Sequence, residues 1–180
     1  LYPRILYGRA TELVNDGRLA EADALLDKAL KDPNNGGVLP LVNFWKGEIA
    51  YRNNKLDEAI KYYNAYVSAG SPTSGEANPS NARYNLGYCY LRKENFTVAL
   101  TFFEPLAKTP ALNSNELIQD AYLRAADCYY MERNYSKAKA MYDNVIKFSW
   151  PSEDYATFQN SMITGIRSSK DKISLLNTMN

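Results

Sequence analysis

Ala22, Ala59, Ala99 and Ala138 recur along the chain at intervals of 37, 40 and 39 residues, and Lys172 continues the series 34 residues further on. The surroundings are fullest at Ala99, where Tyr84, Leu86, Gly87 and Tyr88 precede it and Phe103 follows four residues later. With a period of about 34 residues, the series contains insertions of 3, 6, 5 and 0 residues between copies. Self-similarity of this kind means that one supersecondary unit is stacked on itself, because a single unit cannot bury both of its faces. The chain is therefore expected to be a row of copies rather than one mixed core.

Each copy reads as two helices. In the first, Leu6 to Asn15 is followed by a turn at Gly17. Leu19, Ala22, Leu26, Ala29 and Leu30 then fall on one apolar stripe at i, i+3, i+7, i+10 and i+11. Asp32, Pro33, Asn34 and Asn35 end that helix, since proline cannot continue it and asparagine favours a turn. Ser68 to Ser80, rich in serine, glycine and proline, reads as a loop inserted between copies. Asn95 is placed to cap the second helix of the third copy, and Pro105 is expected to kink or stop that helix near Glu104. Asn113 with Glu116 three residues on reads as a capping-box variant, and the stretch from Trp150 to Ser152 is expected to close one helix and cap the next. The copies are bounded at about 1–35, 40–68, 80–110, 115–149 and 152–180, the last partial, in a single domain over 1–180. No polar capping helix follows the last copy, so the native protein is expected to continue beyond it.

Small residues at Gly47, Gly87, Ala59, Ala99 and Ala138 let the helices approach, and Tyr63, Phe103 and Tyr142 fill the space to the next hairpin. A bulky residue at Ala99 should overpack that contact, at a cost of roughly 1–3 kcal/mol.

The totals exclude several functions. With 21 Lys and Arg against 20 Asp and Glu, the net charge of +1 gives no bulk reason to bind nucleic acid or an acidic membrane surface. No apolar run approaches the roughly 20 residues that span a bilayer, so direct membrane insertion is not expected. The chain has no histidine, which removes the usual general base and the commonest metal ligand. Its two cysteines, Cys89 and Cys128, stand at equivalent positions of neighbouring copies. Adjacent first helices lie ~8–10 Å apart, too far for easy bridging, so both read as small buried hydrophobes. No zinc site can be composed from them. Neither a catalytic constellation nor a cofactor is expected.

By Leu86, Gly87, Tyr88, Ala99 and Phe103, and by the weaker copies on both sides, the chain resembles the tetratricopeptide repeat (TPR) family over essentially its full length. The family's tryptophan, four residues before its glycine, is absent, and Asn43 and Arg83 stand at that slot. The resemblance implies an all-α fold, a TPR-type α-α superhelix or solenoid of antiparallel helix pairs. The final copy, with Tyr155, Ala156, Phe158, Gln159, Gly165 and Lys172 to Leu176, is also similar to bacterial cell-envelope TPR proteins, which implies a periplasmic or cell-envelope location.

In the family, the first helix of each hairpin lines a concave groove that binds peptides or partner helices. Carried over by position, the groove candidates are Tyr7, Thr11, Phe44, Glu48, Tyr51, Tyr84, Tyr88, Leu91, Asp127 and Tyr130. The implied function is a non-catalytic protein–protein interaction scaffold with an aromatic groove. The alternatives are an accessory or assembly domain of a larger enzyme or envelope complex, and a self-association module. In the chaperone-binding subgroup, lysine and asparagine on the first groove helix grip a carboxylate; Tyr7 and Thr11 stand there instead, which argues against that ligand. The tyrosines could be hot-spot anchors or inter-helix packing. Glu48 and Asp127 share one repeat position two hairpin widths apart, on the order of 20 Å. That is too far for a carboxylate pair, and they read as solvated acids at the rim.

Overall fold

In the computed structural model, which describes residues 1–179, every copy begins with a helix where the ruler places one. The helices are α1 (Tyr2–Asn15), α2 (Leu19–Lys31), α3 (Leu39–Arg52), α4 (Leu56–Ser68), α5 (Pro79–Arg92), α6 (Phe96–Leu106), α7 (Glu116–Met131), α8 (Tyr135–Lys147) and α9 (Glu153–Thr178). No strand lies among the described residues; Ser74 and Ala77 form one isolated bridge.

The turn inside each hairpin has one design. Gly17, Asn54, Glu94 and Arg133 each stand five residues before the small-residue slot, and all four take a left-handed backbone, with φ of 75°, 59°, 58° and 61°. At three of them the next amide closes onto the carbonyl five residues back: Arg18 onto Leu13, Lys55 onto Ala50 and Asn134 onto Tyr129, each at 2.8 Å. Such closure satisfies carbonyls that a helix end leaves bare. Asn95 and Asn134 then cap the following helices, their side chains accepting from the amides of Val98 and Lys137.

Several local expectations need correction. The inserted loop is shorter than its composition suggests, because Ser68 still belongs to α4 and Pro79 opens α5, as proline can at a first helical turn. Gly75, with φ of 58°, makes the tight turn of the bridge, and the Tyr66 hydroxyl donates to the Pro72 carbonyl at 2.9 Å. Asn115, not Asn113, caps α7 through the Ile118 amide at 2.9 Å. Ser114 is spent instead on the Ala111 amide, which leaves Glu116 at the first helical position rather than the third. Ser152 makes no side-chain cap bond; the connection is held by Trp150, whose Nε1 donates to Leu112 O at 3.3 Å and whose ring stacks on Phe148. Pro105 gives the early stop: α6 ends one residue later. The last copy does not fold back at all. It is the single 26-residue helix α9, and Lys172 lies on the same helix as Tyr155.

The chain divides into two compact units, Leu1–Glu94 and the residues from Asn95 onward. In the first, α1 packs on α2 and α3 on α4, with α2 against α3 and α4 against α5. Gly47 lies on the Tyr63 ring, where a Cβ would come within 2.9 Å of it. Phe44 meets Trp45, Tyr63 and Tyr66 edge-to-face at 5.4–5.7 Å between centroids. In the second, α6, α7, α8 and α9 pack in chain order. Ala138, Tyr142, Val145, Ala156 and Ile163 join the α8–α9 core, roofed by Tyr122 and Trp150.

Ala59, Ala99 and Ala138 are completely buried. Leucine at any one of them should cost roughly 1–3 kcal/mol, read from urea or thermal melts. An unchanged midpoint at all three would contradict the close packing at this slot.

Candidate functional site

The first-helix face is best built up one unit at a time. In the first unit Glu48 of α3 is not a solvated rim acid. Its Oε2 accepts from the Tyr63 hydroxyl at 2.9 Å and from Asn85 Nδ2 at 3.3 Å, and its Oε1 accepts from Arg52 Nε at 2.8 Å. Asn85 also donates to the Tyr63 hydroxyl at 2.9 Å, so α3, α4 and α5 are joined through one buried phenol. Burial, and then the Glu48 carboxylate, hold the Tyr63 phenol well above its ordinary pKa. It remains a neutral donor through the physiological range.

Asp127 repeats the arrangement in the second unit. Its Oδ1 accepts from Tyr142 at 2.6 Å and from Tyr155 at 2.9 Å, and its Oδ2 from Arg124 at 2.8 Å. Here too the rim reading is wrong: the carboxylate side chain is only 13% exposed. Burial raises the Tyr142 phenol, and burial with the Asp127 charge takes Tyr155 to about 12. In the third copy the equivalent positions are Tyr88 and Phe103, so carboxylate and phenol are absent together. The acid–phenol pair, 15 residues apart in both copies, is one feature gained or lost as a unit. Its signal was present in the sequence, but only to a reading that compared two slots at once.

The remaining candidates divide by burial. Phe44 is 2% exposed and forms part of the aromatic core, so it presents no face to a ligand. Tyr7 is half-buried, and its hydroxyl accepts from Trp45 Nε1 at 3.1 Å. Thr11 turns its hydroxyl back onto the Gly8 carbonyl at 2.8 Å. Tyr51 is half-buried beneath the Arg92 guanidinium, which stands 5.0 Å from its ring centre. Arg92 Nη2 reaches Asn54 Oδ1 at 2.6 Å. Tyr84 and Tyr88 meet edge-to-face at 5.0 Å, each partly open to solvent, and Leu91 is half-buried on the same helix. In the second unit, Tyr130 packs edge-to-face on Tyr135 at 5.6 Å. The first unit therefore gathers Glu48, Tyr51, Arg52, Asn85 and Arg92 where α3 and α5 adjoin α4, and α5 also carries the Tyr84–Tyr88 pair.

Removing the Tyr63 hydroxyl tests the tether. Tyr63→Phe leaves Glu48 and Asn85 without their shared partner and should cost about 1–3 kcal/mol. Tyr142→Phe should cost a similar amount, because Asp127 keeps Tyr155 and Arg124 as Glu48 keeps Asn85 and Arg52. An unchanged midpoint for both variants in parallel denaturant titrations would contradict this account.

Cys89 and Cys128 are free and buried, as expected, and burial pushes both thiols up to about 12, far from the range of a nucleophile at neutral pH. Among the described residues no cluster of three His, Cys, Asp or Glu could hold a metal ion. No described helix is long and apolar enough to cross a membrane.

Repeated antiparallel helix pairs, closed by one turn design and locked by small-against-large contacts, define a helical-hairpin repeat protein. The chain belongs to the tetratricopeptide repeat family: one tetratricopeptide repeat model matches residues 7–74 and a second matches residues 120–148. No curated protein matches it. Among solved structures it is similar to the C-terminal part of a TPR repeat-containing protein from Cytophaga hutchinsonii, with a TM-score of 0.69 and 16% identity over 93% of this chain and 60% of that one. A tetratricopeptide repeat protein from Parabacteroides merdae gives a TM-score of 0.68 and 21% identity over 94% of this chain and 62% of the other. Nearly identical TPR-like repeats from Podosopora anserina give 0.65 and 15% over 99% and 94%. The likeness shows the fold, an all-α solenoid of antiparallel helix pairs. The chain spans about three fifths of the length of the first two structures. Proteins of this repeat class are commonly scaffolds for protein interaction.

Proposed function

We propose that the chain is a non-catalytic scaffold that binds a protein or peptide on its first-helix face, through the aromatic and arginine cluster on α3 and α5. The observation that carries this reading is the state of Tyr51, Tyr84 and Tyr88. Each is half-buried: Tyr51 lies beneath the Arg92 guanidinium, Tyr84 meets Tyr88 edge-to-face, and the same two helices are tied together through Glu48, Tyr63 and Asn85. Aromatic and arginine side chains held in this way lose little entropy on binding and are the residue types that anchor interfaces. Phe44 has no part in it, being spent on the core.

The test is cross-linked capture with the wild-type chain and with a Tyr51→Ala/Tyr84→Ala variant whose melting curve matches wild type. Proteins retained by wild type should fall at least tenfold with the variant, corresponding to about 1.4 kcal/mol or more across the two anchors. Unchanged capture would move the binding surface elsewhere.

A further inference from the structure

α9 combines a buried stripe with an uncovered one. Ala156 and Ile163, both fully buried against α8, stand seven residues apart, as do Val42 and Ile49, Ala82 and Cys89, and Ala121 and Cys128 in the earlier first helices. This register puts Phe158 at the position of Phe44 and Ser161 at that of Gly47. In the second hairpin those positions are covered by the hairpin's own second helix, through Tyr63 and Tyr66. On α9 no second helix among the described residues covers them. Phe158 and Met162 are exposed.

The second half of α9 carries the missing pattern. With Lys172 at the small-residue slot, Leu176 falls at the position of Tyr63, Phe103 and Tyr142, and Met179 at that of Tyr66 and Val145. Both are exposed, as is Ile173. Yet α9 cannot close on itself by the turn the other hairpins use. In all four of them the first-helix and second-helix slots are twelve residues apart: Ala10 and Ala22, Gly47 and Ala59, Gly87 and Ala99, Ala126 and Ala138. In α9 they are Ser161 and Lys172, eleven apart. Ser168 would have to be at once the left-handed turn residue and the cap of the next helix. One residue is lacking, and the helix runs straight.

We propose that two copies of the chain pair antiparallel through α9, crossing at Ser168 and Ser169, so that the second half of each helix covers the first half of the other. Leu176 of one copy then faces Ser161 of its partner copy, Met179 faces Phe158, and Lys172 faces Gly165. This is the hairpin contact exchanged between identical chains, a low-cost route to a dimer. A large apolar side chain holds on the order of 200 Å² of surface. Phe158, Met162, Ile173, Leu176 and Met179 are 44–76% exposed, so the pair covers about 1,200 Å², within the range of specific interfaces. Among the described residues neither half of α9 obtains that cover from its own chain.

Light scattering across a dilution series, with a Gly165→Cys/Lys172→Cys variant alongside, tests the proposal. Wild type should reach about twice the 20.4 kDa chain mass, and Leu176→Glu should return it to one chain mass with its helicity unchanged. Under mild oxidation the double-cysteine variant should link two chains, because the two positions lie seven residues apart on a straight helix, roughly 10 Å, too far to bridge within one chain. A monomer at the highest concentration would overturn the pairing, as would a disulfide formed within one chain. A dimer indifferent to Leu176→Glu would overturn it as well, by placing the contact on another surface.

Discussion

Gly47→Leu should cost the first unit about 3 kcal/mol, while Gly8→Ala should add up to about 1 kcal/mol, although both glycines are helical. The Gly8 position is open, with nothing within 4 Å of an added Cβ, so alanine there gains the ordinary helix preference and meets no obstacle. At Gly47 the Cβ would lie 2.9–3.0 Å from three atoms of the Tyr63 ring. The ring has nowhere to go, because Tyr63 is fully buried and its hydroxyl is held by Glu48 and Asn85. A leucine must therefore push α3 away from α4. Ala126 stands at the same slot opposite Tyr142, so a hairpin can be built around one methyl group. Gly47→Ala should accordingly fall between the two, and Tyr63→Leu should recover part of the loss of Gly47→Leu. Chemical denaturation of the four variants reads the order directly; a neutral Gly47→Leu would show that the hairpin spacing is soft.

Lys46→Met should cost about 2 kcal/mol, a buried-pair penalty reduced for the solvent that reaches both of its partners. The Lys46 side chain is 7% exposed, yet its Nζ lies 2.7 Å from Asp23 and 2.7 Å from Asp27, which remain 39% and 49% exposed. It joins α2 to α3 beside the Tyr62 ring, at 5.3 Å, on the wall of a pocket of about 140 Å³. Without the ammonium two carboxylates face each other unpaired, so adding Asp23→Asn and Asp27→Asn to Lys46→Met should restore most of the stability. Burial by itself disfavours the ammonium; its bonds to the two aspartates outweigh that and set the Lys46 pKa above its ordinary 10.5. A raised value means that the contribution is complete below the unfolded value and is lost as pH rises through the folded one. The difference between wild type and Lys46→Met should therefore be flat through neutral pH and shrink only above about pH 10.5. A difference that varied between pH 6 and 9 would place the charge effect elsewhere.

The helices and their turns were legible because they depend on spacing, and spacing is written in one dimension. Ala22, Ala59, Ala99 and Ala138 located eight of the nine described helices, and Pro105 located an end. What could not be read depended on partners. Asn113 and Asn115 flank one serine and are equal as caps until Ser114 is seen to be occupied by Ala111. Phe44 looks like an exposed ring on the helix wheel until Tyr66 is placed against it. Glu48 and Asp127 look solvated because an acid usually is; the phenols that bury them come from the next helix. Lys46 is illegible for the same reason, since two aspartates on another helix make its burial tolerable. Each omission lies where a polar group is satisfied by a residue distant in sequence.

The invariant twelve-residue spacing within hairpins has a consequence for synthesis. All the length variation, the 3, 6 and 5 extra residues, falls between one small-residue slot and the next first helix, never inside a turn. A hairpin whose two helices are joined by three residues closes through contacts near in sequence, which form fast. As the chain leaves the ribosome, α1 with α2 and α3 with α4 can each close before the following pair exists, and each finished hairpin offers a template to the next. The helix that cannot close emerges after α7 and α8, which are already in place to receive its buried stripe.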